Sequence, residues 1–274
     1  MAQCGPWPIG VCSWSLQQNI PGVVEAMHKL DIDHVHLDVG PACEDDPDPY
    51  MDLVQQGDWT ISSTMIGFAQ EDYSTLETIK QTGGIVPDDC WDVNRQRFLK
   101  AIEVTAALGV NYLSSHFGFL DMSDPAYADK LIQRVRLLAD AAAAHNVVLL
   151  METGQERADE LKAFLEKLNH PALGVNFDPA NMILYNMGDP LKGVRTLAAW
   201  VKHVHIKDAL RADQPGTWGQ EVIWADGQVG AENFLKTLRE INYTGVLAIE
   251  RECGQDRFGD IKTAVERLKS FAAA

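Results

Sequence analysis

Four short apolar runs in the second half of the chain end in side chains that can bind a divalent cation. Residues 147–152 run Val-Val-Leu-Leu-Met into Glu152, and residues 173–178 run Leu-Gly-Val-Asn-Phe into Asp178. Residues 201–207 contain His-Val-His, ending near His205, and residues 246–250 run Val-Leu-Ala-Ile into Glu250. A buried, unpaired carboxylate is costly, and three facing one another repel strongly. A shared cation removes that penalty. Three carboxylates and one imidazole suit Mn²⁺ or Mg²⁺, with Zn²⁺ and Co²⁺ also compatible, and they leave positions open for a substrate. His203 shares a face with His205 under strand alternation but lies deeper, which makes it an interior residue. Glu252 stands in the same relation to Glu250 on the other side and is an alternative ligand.

These four side chains can meet only if the runs that carry them are neighbouring parallel strands. Eight such runs occur, at residues 9–14, 34–39, 60–66, 110–116, 147–152, 173–178, 201–207 and 246–250. Helix-patterned segments separate them, most visibly at 21–30, 94–108, 125–145, 156–168, 232–241 and 261–271. Pro21 and Pro125 suit a first helical turn, and Gly109 suits a C-terminal stop. The alternation predicts an α/β fold, a single (β/α)8 TIM barrel over residues 1–274, with active residues at the C-terminal ends of its strands. A doubly wound open sheet is the alternative, but no G-x-G-x-x-G or P-loop motif follows any strand. Connections 67–91 after the third strand and 208–230 after the seventh are longer than a barrel requires. Both mix glycine, aromatic and acidic residues, as a lid over a small polar ligand would.

With 23 Lys plus Arg against 39 Asp plus Glu, the formal charge is −16. Nucleic acid and acidic membrane are therefore poor partners. Cys4, Cys12, Cys43, Cys90 and Cys253 are odd in number and contain no C-x-x-C pair. Neither a disulfide framework nor a thiolate zinc site is expected, and a reducing cytoplasm fits best. No basic and apolar leader or long apolar stretch points to export or a membrane span.

The motifs Leu-Leu-Met-Glu-Thr-Gly (149–154), Gly-Val-Asn-Phe-Asp-Pro-Ala-Asn (174–181), His-Val-His-Ile-Lys-Asp (203–208) and Leu-Ala-Ile-Glu-Arg-Glu (247–252) make the chain resemble the xylose-isomerase-like family of (β/α)8 proteins. The resemblance covers nearly the whole chain. The family comprises sugar isomerases, ketose 3-epimerases, inosose dehydratases and apurinic endonucleases. The loop Pro-Gly-Thr-Trp-Gly-Gln-Glu-Val (215–222) is similar to one in the sugar phosphate isomerase/epimerase branch, which places Trp218 near substrate. Matching the ketose 3-epimerases assigns the metal to Glu152, Asp178, His205 and Glu250. It also assigns substrate contact to Arg211, six positions past His205. Asn181 stands where those epimerases carry a substrate-binding His. His116, in Ser-Ser-His-Phe-Gly, resembles the H-x-G elements at the family's barrel mouth. Lys207 and Asp208 are expected either to pair with each other in solvent or to touch a substrate hydroxyl or phosphate. Trp14, His36 and Asp38 are expected to line the pocket. Members of the family often pair through their barrel faces, which leaves room for a homo-oligomer.

The resemblance and the donor set together imply a small-molecule sugar or keto-sugar substrate, free or phosphorylated. The expected reaction is isomerisation or epimerisation through an enediolate. Glu152 and Glu250 would share the acid/base work from opposite faces, while Asp178 and His205 hold the ion. The same site could expel a β-leaving group, giving a lyase or dehydratase of an inosose or 3-keto sugar. An apurinic endonuclease is disfavoured by Asn181, by the lack of an Asp-x-His element after His205 and by the net charge. A sugar-binding barrel without catalysis is the remaining alternative.

Overall fold

Strand-forming runs that are apolar at nearly every position must be covered on both faces. The computed structural model, which describes residues 1–44 and 48–272, shows how. Eight strands, β1 (Trp7–Cys12), β2 (His34–Asp38), β3 (Thr60–Met65), β4 (Tyr112–Ser115), β5 (Val148–Glu152), β6 (Leu173–Phe177), β7 (Val201–Ile206) and β8 (Leu247–Ile249), pair in parallel in chain order. β8 pairs with β1, which closes the barrel. Every residue of β6 and of β8 is buried. A two-residue strand, Gln3–Cys4, folds back antiparallel on β1.

The helices form the outer ring: α1 (Ile20–Leu30), α2 (Asp48–Gln56), α3 (Leu76–Thr82), α4 (Trp91–Ala107), α5 (Pro125–Ala144), α6 (Ala158–Leu168), α7 (Pro179–Leu184), α8 (Pro190–Thr196), α9 (Ala231–Glu240) and α10 (Arg257–Ala272). The outer core is held by fully buried aromatics such as Phe98, Phe164, Phe177 and Phe234. Each such side chain contributes about 1.5–3 kcal/mol by leaving water. None of the described helices is long and apolar enough to cross a membrane. All five cysteines are free.

Three features depart from the expected layout. The connection 67–91 contains α3, started by a capping box in which Thr75 and Thr78 exchange side-chain and backbone bonds. Two short helices, α7 and α8, lie between β6 and β7, each begun by an Asp-Pro pair whose aspartate accepts the first free N–H groups. The connection after β7 is an antiparallel ribbon, Asp208–Leu210 against Gln220–Val222, rather than an open loop. Asp208 stabilises its return by accepting backbone hydrogen bonds from Ala209, Ala225, Gly227 and Val229 at 2.8–3.1 Å. A side chain on Gly227 would collide with that carboxylate. The solvent-exposed Lys207–Asp208 pair is therefore not formed. Asp208 is a buried anchor for its own loop, and Lys207 is buried on the other side of the strand, facing the site.

Candidate metal centre

Alternation along β7 sends His203 and His205 into the barrel, and continuing it by one step sends Lys207 to the mouth. The neighbouring strands do the same with Glu152 at the end of β5, Asp178 just past β6 and Glu250 just past β8. One ligand-type atom from each of Glu152, Asp178, His205 and Glu250 lies within 4.8 Å of the others. All four residues are at most 5% exposed. His205 Nδ1 sits at the centre, 3.3 Å from Glu152 Oε1, 3.5 Å from Asp178 Oδ2 and 3.4 Å from Glu250 Oε2.

The cluster meets the requirements of a cation site. Glu152 Oε2, Asp178 Oδ2 and His205 Nδ1 are buried and make no hydrogen bond. Orphaned donors and acceptors of this kind are costly unless something else binds them. Asp178 uses its other oxygen, Oδ1, to cap α7 through Ala180 and Asn181 at 2.8 and 3.0 Å. A strand-end aspartate here is a helix cap and a candidate ligand together.

The proton arrangement beneath His205 also fits. A cation on Nδ1 needs the lone pair there, so the ring proton must sit on Nε2. Nε2 lies 2.9 Å from His36 Nδ1, and His36 Nε2 lies 3.1 Å from the carbonyl of Thr64, which can only accept. His36 therefore donates to Thr64 and accepts from His205. Burial, reinforced by His205, pushes His36 down to about 3, which keeps it neutral for that role. Cys12 Sγ is 3.6 Å from His205 Nε2, and burial pushes its thiol up to about 12. Asn176 spans His205 and His203 at 3.1 and 3.0 Å, which places His203 in the interior. Partners that orient a ligating histidine typically govern affinity by about 10–100-fold. His36→Leu is accordingly expected to weaken Mn²⁺ binding by roughly that factor, measured by electron paramagnetic resonance of free Mn²⁺. Unchanged affinity would show that His36 does not orient the ring.

The two glutamates have different surroundings. Glu250 Oε1 accepts from Trp14 Nε1 at 2.9 Å and Oε2 from Lys207 at 2.8 Å. Burial works to raise Glu250, but Lys207 and His205 outweigh it and hold the carboxyl well below its ordinary range. Glu152 Oε1 accepts from Asn181 at 3.2 Å, whereas Oε2 makes no hydrogen bond and lies 3.7 Å from His116 Nε2. Lys207 also contacts Glu252, and it reaches Asn181 Oδ1 at 3.3 Å. Glu252 is thus joined to the cluster through Lys207 and is not one of the four residues whose ligand atoms converge.

A cavity of about 560 Å³ opens above the cluster, lined by Glu152, Glu250, Asn181, His116, Trp218, Trp14 and Asp38 among others. His36 lies beneath, fully buried. Lys207 sits behind Glu250 rather than in the lining. Arg211 does not reach the cavity: its guanidinium is exposed and bonds Asn186 Oδ1 and the Gly188 carbonyl. The ribbon carries it outward. Sequence reasoning missed Glu71, Tyr73, Leu184 and Tyr185, which complete the wall. Glu71 accepts from Phe68 and Gly84 backbone N–H groups at 3.1 and 2.9 Å. Tyr185 packs edge-on against Trp218, ring centroids 4.8 Å apart. The Asp-Pro start of α7 was the signal that could have located Tyr185, four residues beyond Asn181 and one helical turn away.

The geometry defines a (β/α)8 barrel whose C-terminal mouth holds a buried carboxylate–imidazole centre. The sequence profile of the xylose isomerase-like TIM barrel family matches residues 81–271, and the chain belongs to that family. It is 31% identical to a xylose isomerase domain protein from Planctomyces limnophilus, with 98% of each chain covered and a TM-score of 0.85. A xylose isomerase-like TIM barrel protein from Mycobacterium smegmatis, solved in complex with magnesium, shares the fold at 19% identity, 98% coverage of each chain and a TM-score of 0.74. A 3-dehydroshikimate dehydratase from Bacillus anthracis is 33% identical over 86 residues, which is 30% of this chain and 30% of that protein.

Proposed function

We propose that the protein is a divalent-metal-dependent sugar isomerase or epimerase that moves a proton at a carbon beside a carbonyl. The observation that carries this reading is the convergence of four buried ligand-type residues, three with orphaned atoms, directly under the cavity. Glu152, Asp178, His205 and Glu250 would hold the ion, with Mg²⁺ or Mn²⁺ favoured by the three carboxylates. Magnesium in the Mycobacterium smegmatis protein supports that choice. When bound, the ion would stabilise negative charge developing on substrate oxygen.

The chain's own groups supply the rest. Glu152 Oε2 is the oxygen left without a hydrogen-bond donor, so it is the better-placed base, with His116 beside it to receive or return a proton. Glu250, kept ionised by Lys207 and oriented by Trp14, serves the opposite face of the substrate. Asn181 orients Glu152. Tyr185 and Trp218 shield the reacting carbon from bulk water. The barrel is read as one catalytic unit acting on a small molecule.

Proton NMR in D₂O tests the assignment, with a panel of keto-sugars and added Mn²⁺. Deuterium entering at one carbon without net loss of material is the expected result. A second reading, dehydration, is favoured by the partial match to the dehydratase, and loss of water from a keto substrate would establish it instead. No change in any substrate would leave a binding barrel.

A further inference from the structure

The cavity that opens on the candidate centre is lined by carboxylates to an extent that the chemistry at the centre does not require. Asp38 and Glu71 stand on the wall in addition to Glu152, Glu250 and Glu252, and among the described residues no arginine or lysine is in the lining. The basic side chains nearby are all committed elsewhere. Lys207 is buried against Glu250 and Glu252, Arg97 beside Asp38 pairs with Glu44 and bonds the Gly67 and Gly40 carbonyls, Arg211 is turned outward to Asn186 and Gly188, and Arg251 bonds Glu221 and Asp260. The first N–H groups of α7, which could otherwise cradle an anion, are taken by Asp178 Oδ1. Recognition of phosphate or carboxylate is strongest with a guanidinium fork or an ammonium, and among the described residues neither lines the cavity.

Resting on the isomerase reading above, we infer that Asp38 and Glu71 select an uncharged polyhydroxylated substrate and exclude phosphate esters and carboxylates. A divalent ion and Lys207 together bring three positive charges to a site bearing six carboxylates, those of Asp38, Glu71, Glu152, Asp178, Glu250 and Glu252. An incoming anion therefore meets net negative charge. Sugar hydroxyls, by contrast, donate hydrogen bonds, and the wall offers acceptors. Asp38 Oδ1 is held by the Gly40 N–H at 2.8 Å, and Glu71 is held by Phe68 and Gly84. Those backbone bonds fix each carboxylate from the protein side and leave its other lone pairs for substrate. Inside the cavity, the unpartnered Glu152 Oε2 marks where the reacting end lies. The sugar phosphate function associated with the loop at 215–222 and the activity of the partially matching dehydratase are both set aside by this charge pattern.

The test is titration calorimetry of the Mn²⁺-loaded protein with D-fructose, D-tagatose and L-ribulose, with their phosphate esters, and with 3-dehydroshikimate. At least one neutral ketose is expected to bind 10-fold or more tightly than its ester and than 3-dehydroshikimate. Glu71→Gln combined with Asp38→Asn, kept saturated with Mn²⁺, is expected to narrow that gap at least 3-fold, and each single variant is expected to narrow it by less. An ester or 3-dehydroshikimate binding as tightly as the neutral ketoses would overturn the inference. So would failure of every neutral ketose to bind, or an unaltered gap in all three variants. Deuterium exchange on the same compounds separates this from the parent reading. Exchange confined to an ester refutes charge selection and leaves the isomerase intact, whereas selective binding without exchange in any compound refutes the isomerase and leaves charge selection standing.

Discussion

Glu152→Gln and Glu250→Gln are each expected to reduce solvent-deuterium incorporation by roughly 10⁴-fold, the upper range for removing an acid/base group. Both glutamates flank the cavity, and each combines a candidate ligand atom with a second oxygen. The amide keeps the volume and one oxygen but cannot take a proton, so loss of turnover would not come from a collapsed site. The two variants should differ in other respects. Glu250 holds Lys207, and its replacement leaves a buried ammonium facing Glu252 and Asp178 with one fewer charge partner. Glu152→Gln removes the oxygen that has no donor, so its thermal stability is expected to stay closer to wild type. Rates are read by NMR and unfolding by fluorimetry. Wild-type exchange in both variants would defeat the assignment.

The second large effect concerns the ion. Adding Mg²⁺ or Mn²⁺ to chelator-treated protein at about 100 times the dissociation constant contributes about 2.7 kcal/mol. At this chain length that corresponds to a rise in Tm of roughly 5 °C. The ion should act by satisfying the orphaned atoms and by relieving repulsion among three buried carboxylates. Burial alone would lower His205, but Glu250, Glu152 and Asp178 outweigh it and hold the imidazole well above its ordinary value. A proton there competes with the cation. The ion-induced shift is therefore expected to shrink as pH falls and to grow as pH rises. A Tm indifferent to chelator and to both ions at every pH would remove the cation from the proposal.

The eight strands were legible because parallel strands covered on both faces read as continuous apolar runs, and those runs are rare elsewhere in the chain. The four converging residues were legible for a related reason. A charged residue closing an apolar run marks the point where a strand leaves the core, and consecutive parallel strands place such points together. What could not be read depends on contacts across the barrel or on irregular backbone. His36 meets His205 across 169 residues, and nothing local to His36 announces it. Glu71 and Tyr73 lie in a connection without periodicity. Arg211 was placed by counting along the chain from His205, but the ribbon that begins at Asp208 turns that count away from the cavity. Lys207 could have been placed better, because two residues beyond His205 is the same face of a strand.

Asp178 divides its two oxygens between the first turn of α7 and the centre of the cluster. A cation at the centre would therefore pull on the short helix that bears Asn181 and leads into Tyr185. Cation occupancy and the posture of the cavity wall would then be tied through a single carboxylate, so that loading the first would also set the second.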